Sequence, residues 1–415
     1  MYKQRLIYDS IVDHLKKKQL TIITGARQTG KTTILNQLFK LLKSVNKNVW
    51  FVSFEKEEIL RKINSDPENI FQFIQRPKNP LLQGIDEPFY LLVDEVQYAA
   101  NPSNFLKYLY DTYQPNLKII ATGSSSFYID KKFKDSLAGR KRLFTLKTLN
   151  FEEFLIFKDK AFLKDELKQI RSSEEYISLH YNELMQLFDE YLRYGGYPDV
   201  VLSDSISEKT NILEEIKSSY IKRDIFDSKV ENETAFYKLM ILLASQTGNL
   251  VNKYSLSKIL GIDITTIEKY LYVLQKCFHI SLIKPFYKNL KKEIIKMPKL
   301  YFNDLGLRNF LINNFSEVEI RIDKGQVLEN YTFLRLSELY RNDDIKFWKT
   351  AGQNEVDFIL TETFNKGKAY EVKFNAVNIK QSKYKMFTEA YPDFPLKYIG
   401  YTFSENPNAL PAIKL

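Results

Sequence analysis

Gly25-Ala26-Arg27-Gln28-Thr29-Gly30-Lys31-Thr32-Thr33 places two glycines, a lysine and a pair of hydroxyls at a spacing suited to a polyphosphate. Gly25 and Gly30 let the backbone curl so that successive N–H groups face the phosphates, and a helix opening near Lys31 adds its positive end. Lys31 then reaches the β and γ phosphates, and Thr32 sets a hydroxyl on Mg²⁺. The flanks agree with this reading. Residues 21–24 form an apolar, β-branched run expected to be a buried strand, and Ile34, Leu35, Leu38, Phe39 and Leu42 give the following helix an apolar face. Nucleotide binding is the expectation.

Asp94-Glu95 supplies the second half of that chemistry. The apolar run at 89–93 reads as a strand, so Asp94 stands at its tip, where it can hold Mg²⁺ through water, and Glu95 is placed to deprotonate or orient an attacking water. Another strand, at 118–122, runs into Thr122-Gly123-Ser124-Ser125-Ser126, where a polar residue such as Ser124 could sense the γ phosphate. Arg140, in a basic segment with Lys131, Lys132, Lys134, Lys141 and Arg142, and Arg223 further on are candidates to neutralise transition-state charge, in cis or from a neighbouring subunit.

A third set lies near the C-terminus. Glu329 falls on an expected helix, Asp357 on a strand, and Glu371 and Lys373 two apart on the next strand, where alternation puts them on one face. Asp357 and Glu371 could share a metal while Lys373 positions a water against a phosphodiester.

The intervening chain must position these groups. Strands at 21–24, 47–54, 89–94 and 118–122 alternate with helices, which predicts a mostly parallel sheet with ligands at the carboxyl ends of the strands. Residues 151–235 have helical spacing broken at Tyr194-Gly195-Gly196-Tyr197-Pro198, and read as a helical lid on that core. Three helices between 236 and 280, then two short strands around the lysines at 288, 291 and 292, are the parts of a winged helix-turn-helix. Asp263 would cap the third helix and Thr265, Thr266, Lys269, Tyr272 and Lys276 would form its exposed face.

With 415 residues the chain exceeds a single core. Its 61 Lys and Arg against 51 Asp and Glu give a charge of +10, a bias toward an anionic polymer such as DNA. One cysteine, Cys277, allows no internal disulfide, and three histidines with one cysteine argue against structural zinc. No apolar run approaches the ~20 residues of a membrane span and the N-terminus has no secretory h-region, so a cytoplasmic protein is expected.

GARQTGKTT, LLVDEVQ, ATGSSS, LAGR at 137–140, YGGYP, FNDLGLRN at 302–309 and EVDF followed by EVK occur in order along nearly the whole sequence. Together they resemble the AAA-type P-loop ATPases of bacteria and archaea that carry a C-terminal domain of unknown function. The resemblance implies an α/β fold: an AAA-type core (1–150), a helical lid (151–235), a winged helix-turn-helix (236–303) and a restriction-endonuclease-like α/β domain (304–415). It implies ATP on Lys31 and Thr32, Mg²⁺ on Thr32 and Asp94, and Glu95 as base. The function expected is Mg²⁺-dependent ATP hydrolysis by a protein that binds DNA, duplex or branched, and acts in DNA processing or genome maintenance, with a homo-oligomer as a possible assembly. The alternative is an ATP-dependent protein-binding switch whose endonuclease-like domain is not catalytic.

Overall fold

The computed structural model describes residues 3–123, 137–173, 176, 178–287, 293, 296–350, 352, 354–363, 366–377 and 379–415. They form two compact units, residues 1–148 with 276–278 and residues 149–275 with 279–415.

The first unit contains α1 (Tyr8–His14), β1 (Leu20–Thr24), α2 (Lys31–Ser44), β2 (Val49–Ser53), α3 (Glu57–Ser65), the short α4 (Pro80–Gln83), β3 (Phe89–Asp94), α5 (Pro102–Tyr113), β4 (Leu117–Gly123) and β5 (Lys141–Thr145). The strands lie in the order β2-β3-β4-β1-β5, and every neighbouring pair is parallel. β1, β3 and β4 are buried along their whole length, as continuous apolar runs in a doubly covered sheet should be. Alternation divides them between two cores. Ile22, Leu91, Val93 and Ile119 pack with Leu106 and Leu109 on one face, while Ile23, Leu92 and Ile120 pack with Ile11, Ile34, Leu35 and Leu38 on the other. β5 is an edge strand, and its partly exposed Lys141 and Arg142 suit an edge that must not recruit another strand. The register sets Thr24 opposite Gly123 and Val93 opposite Ala121, which brings the loop after β1, the end of β3 and the end of β4 to one edge of the sheet.

The second unit begins with helices only: α6 (Phe151–Phe157), α7 (Ala161–Ser172), α8 (Tyr181–Tyr194), α9 (Pro198–Leu202), α10 (Ile206–Glu215) and α11 (Lys222–Asp227), the last two joined by a π-helical stretch at Ile216–Ile221. Then come α12 (Glu233–Ser245), α13 (Lys253–Leu260), α14 (Ile264–Lys276), β6 (Ile280–Pro285), β7 (Lys299–Phe302), α15 (Leu305–Leu311), α16 (Lys324–Leu339), β8 (Ile345–Lys349), β9 (Glu355–Thr363), β10 (Lys366–Val372), α17 (Lys385–Ala390), β11 (Leu396–Gly400) and β12 (Ala409–Pro411). One seven-stranded sheet holds all these strands in the order β12-β11-β10-β9-β8-β6-β7.

Two features of this unit differ from the expected arrangement of parts. The β6–β7 pair expected to be a wing is also the end of the C-terminal sheet, because Lys284 and Pro285 of β6 pair in parallel with Lys346 and Phe347 of β8. The helices read as a lid share a core with that sheet: Phe154, Leu163, Leu184, Phe188 and Leu192 lie in one buried cluster with Phe358, Val372, Ile399 and Ile413. Amphipathic helices bury their apolar face wherever a complementary face is offered, and here the sheet of their own unit offers one.

Candidate functional site: a phosphate loop and a lysine-filled acidic cluster

Gly25 ends the run from β1 with φ of 153°, and a Cβ there would stand 2.0 Å from the Leu146 carbonyl oxygen, so no other residue fits. The loop then passes through Gln28 at φ 60° and Gly30 at φ 92° into α2. Ala26 and Thr29 are buried, Arg27 and Gln28 are half-buried, and Thr32 and Thr33 face outward from the first turn. The Thr29 hydroxyl donates to the Ala26 carbonyl at 2.9 Å, closing the turn. Lys31 is buried and its amine donates to the carbonyls of Gly25 (3.0 Å) and Ala26 (2.7 Å), curled over the loop it serves. Arg5, which the sequence reading missed, clamps the loop from outside, donating from Nη1 to the Thr29 carbonyl and from Nη2 to the Lys147 carbonyl, each at 2.8 Å.

Asp94 is brought to this loop as expected. The Thr32 hydroxyl lies 3.0 and 3.2 Å from its two carboxylate oxygens. Burial pushes the Asp94 carboxyl above the usual carboxylate range, against the lowering effect of hydrogen bonds from Thr122 and Thr32. A divalent cation held by Thr32 and Asp94 would supply the charge that burial leaves uncompensated, so these oxygen donors fit Mg²⁺. Thr122, at the end of β4, hydrogen-bonds the Asp94 carboxylate and accepts from the Glu95 N–H at 3.0 Å. It stands two residues before the serine chosen from sequence. Ser124 itself lies outside the described residues, with Lys131, Lys132 and Lys134. Glu95 is half-buried in left-handed backbone at φ 55°, and its carboxylate accepts a hydrogen bond from the Gln97 side-chain amide.

The two arginines are placed differently. Arg140 pairs with Asp111 of the same unit, Nε to Oδ1 at 2.8 Å. Arg223 is exposed on α11 in the second unit.

In the second unit Glu329 on α16, Asp357 on β9 and Glu371 on β10 are brought into one cluster, and Lys373 reaches back to Glu371 Oε1 at 2.5 Å. The strand alternation read from sequence accounts for the last contact. What sequence spacing did not offer is Lys299, the first residue of β7. Its buried ammonium lies 3.0 Å from Glu329 Oε1, 3.0 Å from Asp357 Oδ1 and 2.5 Å from Glu355 Oε1. The other Asp357 oxygen accepts from the Val372 N–H at 2.9 Å, and Tyr301 donates to Glu329 at 2.7 Å. The donor set therefore does not fit a divalent ion as it stands: a lysine holds the point where three carboxylates meet. Among the described residues no group of His, Cys, Asp and Glu is arranged to hold a metal.

Burial, reinforced by the Asp357 charge, pushes Glu329 and Glu371 each up to about 7. Glu371 accepts from Tyr384 at 2.9 Å, and its Oε2 has no hydrogen-bond partner among the described residues. The folded value exceeds the ordinary 4.5, so the stability contributed by the protonated acid is complete below about pH 4.5 and is lost as pH rises through about 7. Glu371→Gln removes the charge but keeps the shape. It should make unfolding less sensitive to pH, gaining ~1–3 kcal/mol over the parent at pH 8 and little at pH 5, measured by urea denaturation at the two pH values. Equal pH dependence of the two chains would contradict this.

In the three-helix stretch, Asp263 caps α14 as expected, accepting from the Thr266 N–H at 2.9 Å. Thr265, Lys269 and Tyr272 are exposed, and Thr266 and Lys276 partly so. Lys288, Lys291 and Lys292 lie outside the described residues. No described helix is long and apolar enough to cross a membrane.

A parallel sheet that delivers a glycine-lysine loop and an Asp-Glu pair to one edge defines a P-loop nucleotide-binding domain. Residues 17–155 match the AAA domain family, while residues 185–318 and 324–410 match two domains of unknown function. The chain is 26% identical over 411 residues to an uncharacterized protein of Methanocaldococcus jannaschii, covering 96% of this chain and 84% of that protein. It is 28% identical to an uncharacterized protein of Haemophilus influenzae, covering 86% and 82%. Among solved structures, AMPPCP-bound DnaA from Aquifex aeolicus aligns over 66% of this chain and 88% of its own at 16% identity and a TM-score of 0.31. The N-terminal unit has an AAA-type P-loop fold, on a chain that continues into a second α/β unit.

Proposed function

We propose that this chain hydrolyses ATP with Mg²⁺ and couples turnover to DNA binding. The observation that carries the first half is the convergence of Lys31, Thr32, Asp94, Glu95 and Thr122 at one sheet edge. Loop N–H groups from 25 to 33 bind the phosphates, and Lys31 leaves the Gly25 and Ala26 carbonyls to neutralise their charge. Mg²⁺, when bound at Thr32 and Asp94, supplies positive charge to the β and γ oxygens. Thr122 locks Asp94 and the Glu95 backbone in fixed relation, so that Glu95 can take a proton from the attacking water. Arg140 or Arg223 is proposed to add the last positive charge, in cis or from a second copy in a homo-oligomer. Adenine as the base rests on the family resemblance. Purified protein should release phosphate from ATP and stop when the metal is chelated; no release with Mg²⁺ present would overturn the reading.

DNA binding is supported by the +10 charge and by the exposed Thr265, Lys269 and Tyr272 on α14. Contact with phosphates must weaken steeply with salt. Changing Lys288, Lys291 and Lys292 together to Glu should flatten the salt slope by about 0.9 per lost contact, measured by gel shift on duplex, single-stranded and branched DNA. The second reading is a protein-binding switch set by ATP, and it is favoured by β6 being built into the sheet rather than standing out as a wing. No shift on any of these DNAs near physiological salt selects it.

A further inference from the structure

We propose that Lys299 is the resident cation of the C-terminal acidic cluster, and that its ammonium takes the place of a divalent metal among Glu329, Glu355 and Asp357. An ammonium has three N–H donors, and Lys299 meets three carboxylate oxygens, one from each acid, within 3.0 Å. The contacts to Glu329 and Asp357 are hydrogen bonds, and the one to Glu355 is an ion pair. The side chain is almost wholly excluded from water, so the cost of burying its charge has to be offset locally, and here three carboxylates do so. Hard divalent cations such as Mg²⁺ and Ca²⁺ take six or more oxygen ligands, and entry of one here requires the ammonium to leave. Of the other oxygens, Asp357 Oδ2 accepts from the Val372 N–H and Glu371 Oε1 accepts from Lys373 and Tyr384, while Glu371 Oε2 is buried without a hydrogen-bond partner among the described residues.

The position of Lys299 gives the exchange a structural consequence. It opens β7, at the edge of the sheet, and its backbone bridges to Leu250 between α12 and α13. The ion cluster thus ties β7 to α16 and β9. Acids spaced as in a metal-dependent nuclease are used here as an internal ionic staple.

The test counts bound Mn²⁺ on the nucleotide-free full chain, by loss of the free-ion electron paramagnetic resonance signal. The parent and Asp357→Asn should bind the same number of ions. A parent that binds one more than Asp357→Asn overturns the proposal. Lys299→Met, which keeps length but removes the charge, should unfold at lower temperature and be restored in a dose-dependent way by Mn²⁺, with no such rise in the Lys299→Met, Asp357→Asn double variant. A Lys299→Met chain that Mn²⁺ does not stabilise would also overturn it. If Lys299→Met does not fold, the comparison of parent with Asp357→Asn decides alone.

Discussion

Glu95→Gln should retain ATP while its turnover falls by about 10²–10⁴-fold, whereas Lys31→Ala should fail to hold nucleotide at all. The two residues do separable work. Lys31 is seated on the Gly25 and Ala26 carbonyls within the loop, so its loss removes the positive charge that the phosphates need. The Glu95 carboxylate accepts from the Gln97 side-chain amide, and its backbone N–H donates to the Thr122 hydroxyl. Replacing its carboxylate by an amide leaves the Thr32–Asp94 pair intact and removes only the proton acceptor. Equilibrium binding of a fluorescent ATP analogue together with steady-state phosphate release distinguishes the two outcomes. A Glu95→Gln chain that turns over at the parent rate would show that the base is elsewhere.

Gly306→Ala should destabilise the second unit by ~3 kcal/mol or more, the upper range for a single substitution. A Cβ at 306 would lie 1.9 Å from the Tyr194 carbonyl oxygen and 2.4 Å from its carbon, and backbone cannot yield as a side chain does. The same junction is held by Asp304, whose carboxylate caps α15 through the Leu307 N–H at 2.9 Å and accepts from the Gly196 N–H at 2.8 Å. Asn309 completes it, donating to the carbonyls of Leu192 and Arg193 at 2.9 Å each. Gly325→Ala is the control, since nothing lies within 4 Å of its added methyl and a helical alanine is favoured by up to ~1 kcal/mol over glycine. Urea denaturation of the two variants should move in opposite directions. A Gly306→Ala chain as stable as the parent would contradict the packing described.

The residues of the phosphate loop and the Asp94 tip are legible from spacing, because their placement is local. Gly25, Gly30, Lys31 and Thr32 act through the curl of eight consecutive residues, and Asp94 through its place at the tip of one apolar strand, so spacing alone marks them. Alternation along a strand likewise announced that Glu371 and Lys373 share a face. Contacts between distant segments left no such trace. Thr122 meeting Asp94 follows from β4 lying between β1 and β3, a matter of strand order rather than spacing. YGGYP reads as a break between helices and FNDLGLRN lies far along the chain, yet they pack as one joint because Gly195 and Gly306 lack the Cβ atoms that would hold the backbones apart. Lys299 looked like one of many lysines in a basic stretch. Only the tertiary structure carries it among Glu329, Glu355 and Asp357, where the carboxylates offset the burial of its charge and the ammonium occupies the point at which a metal was expected.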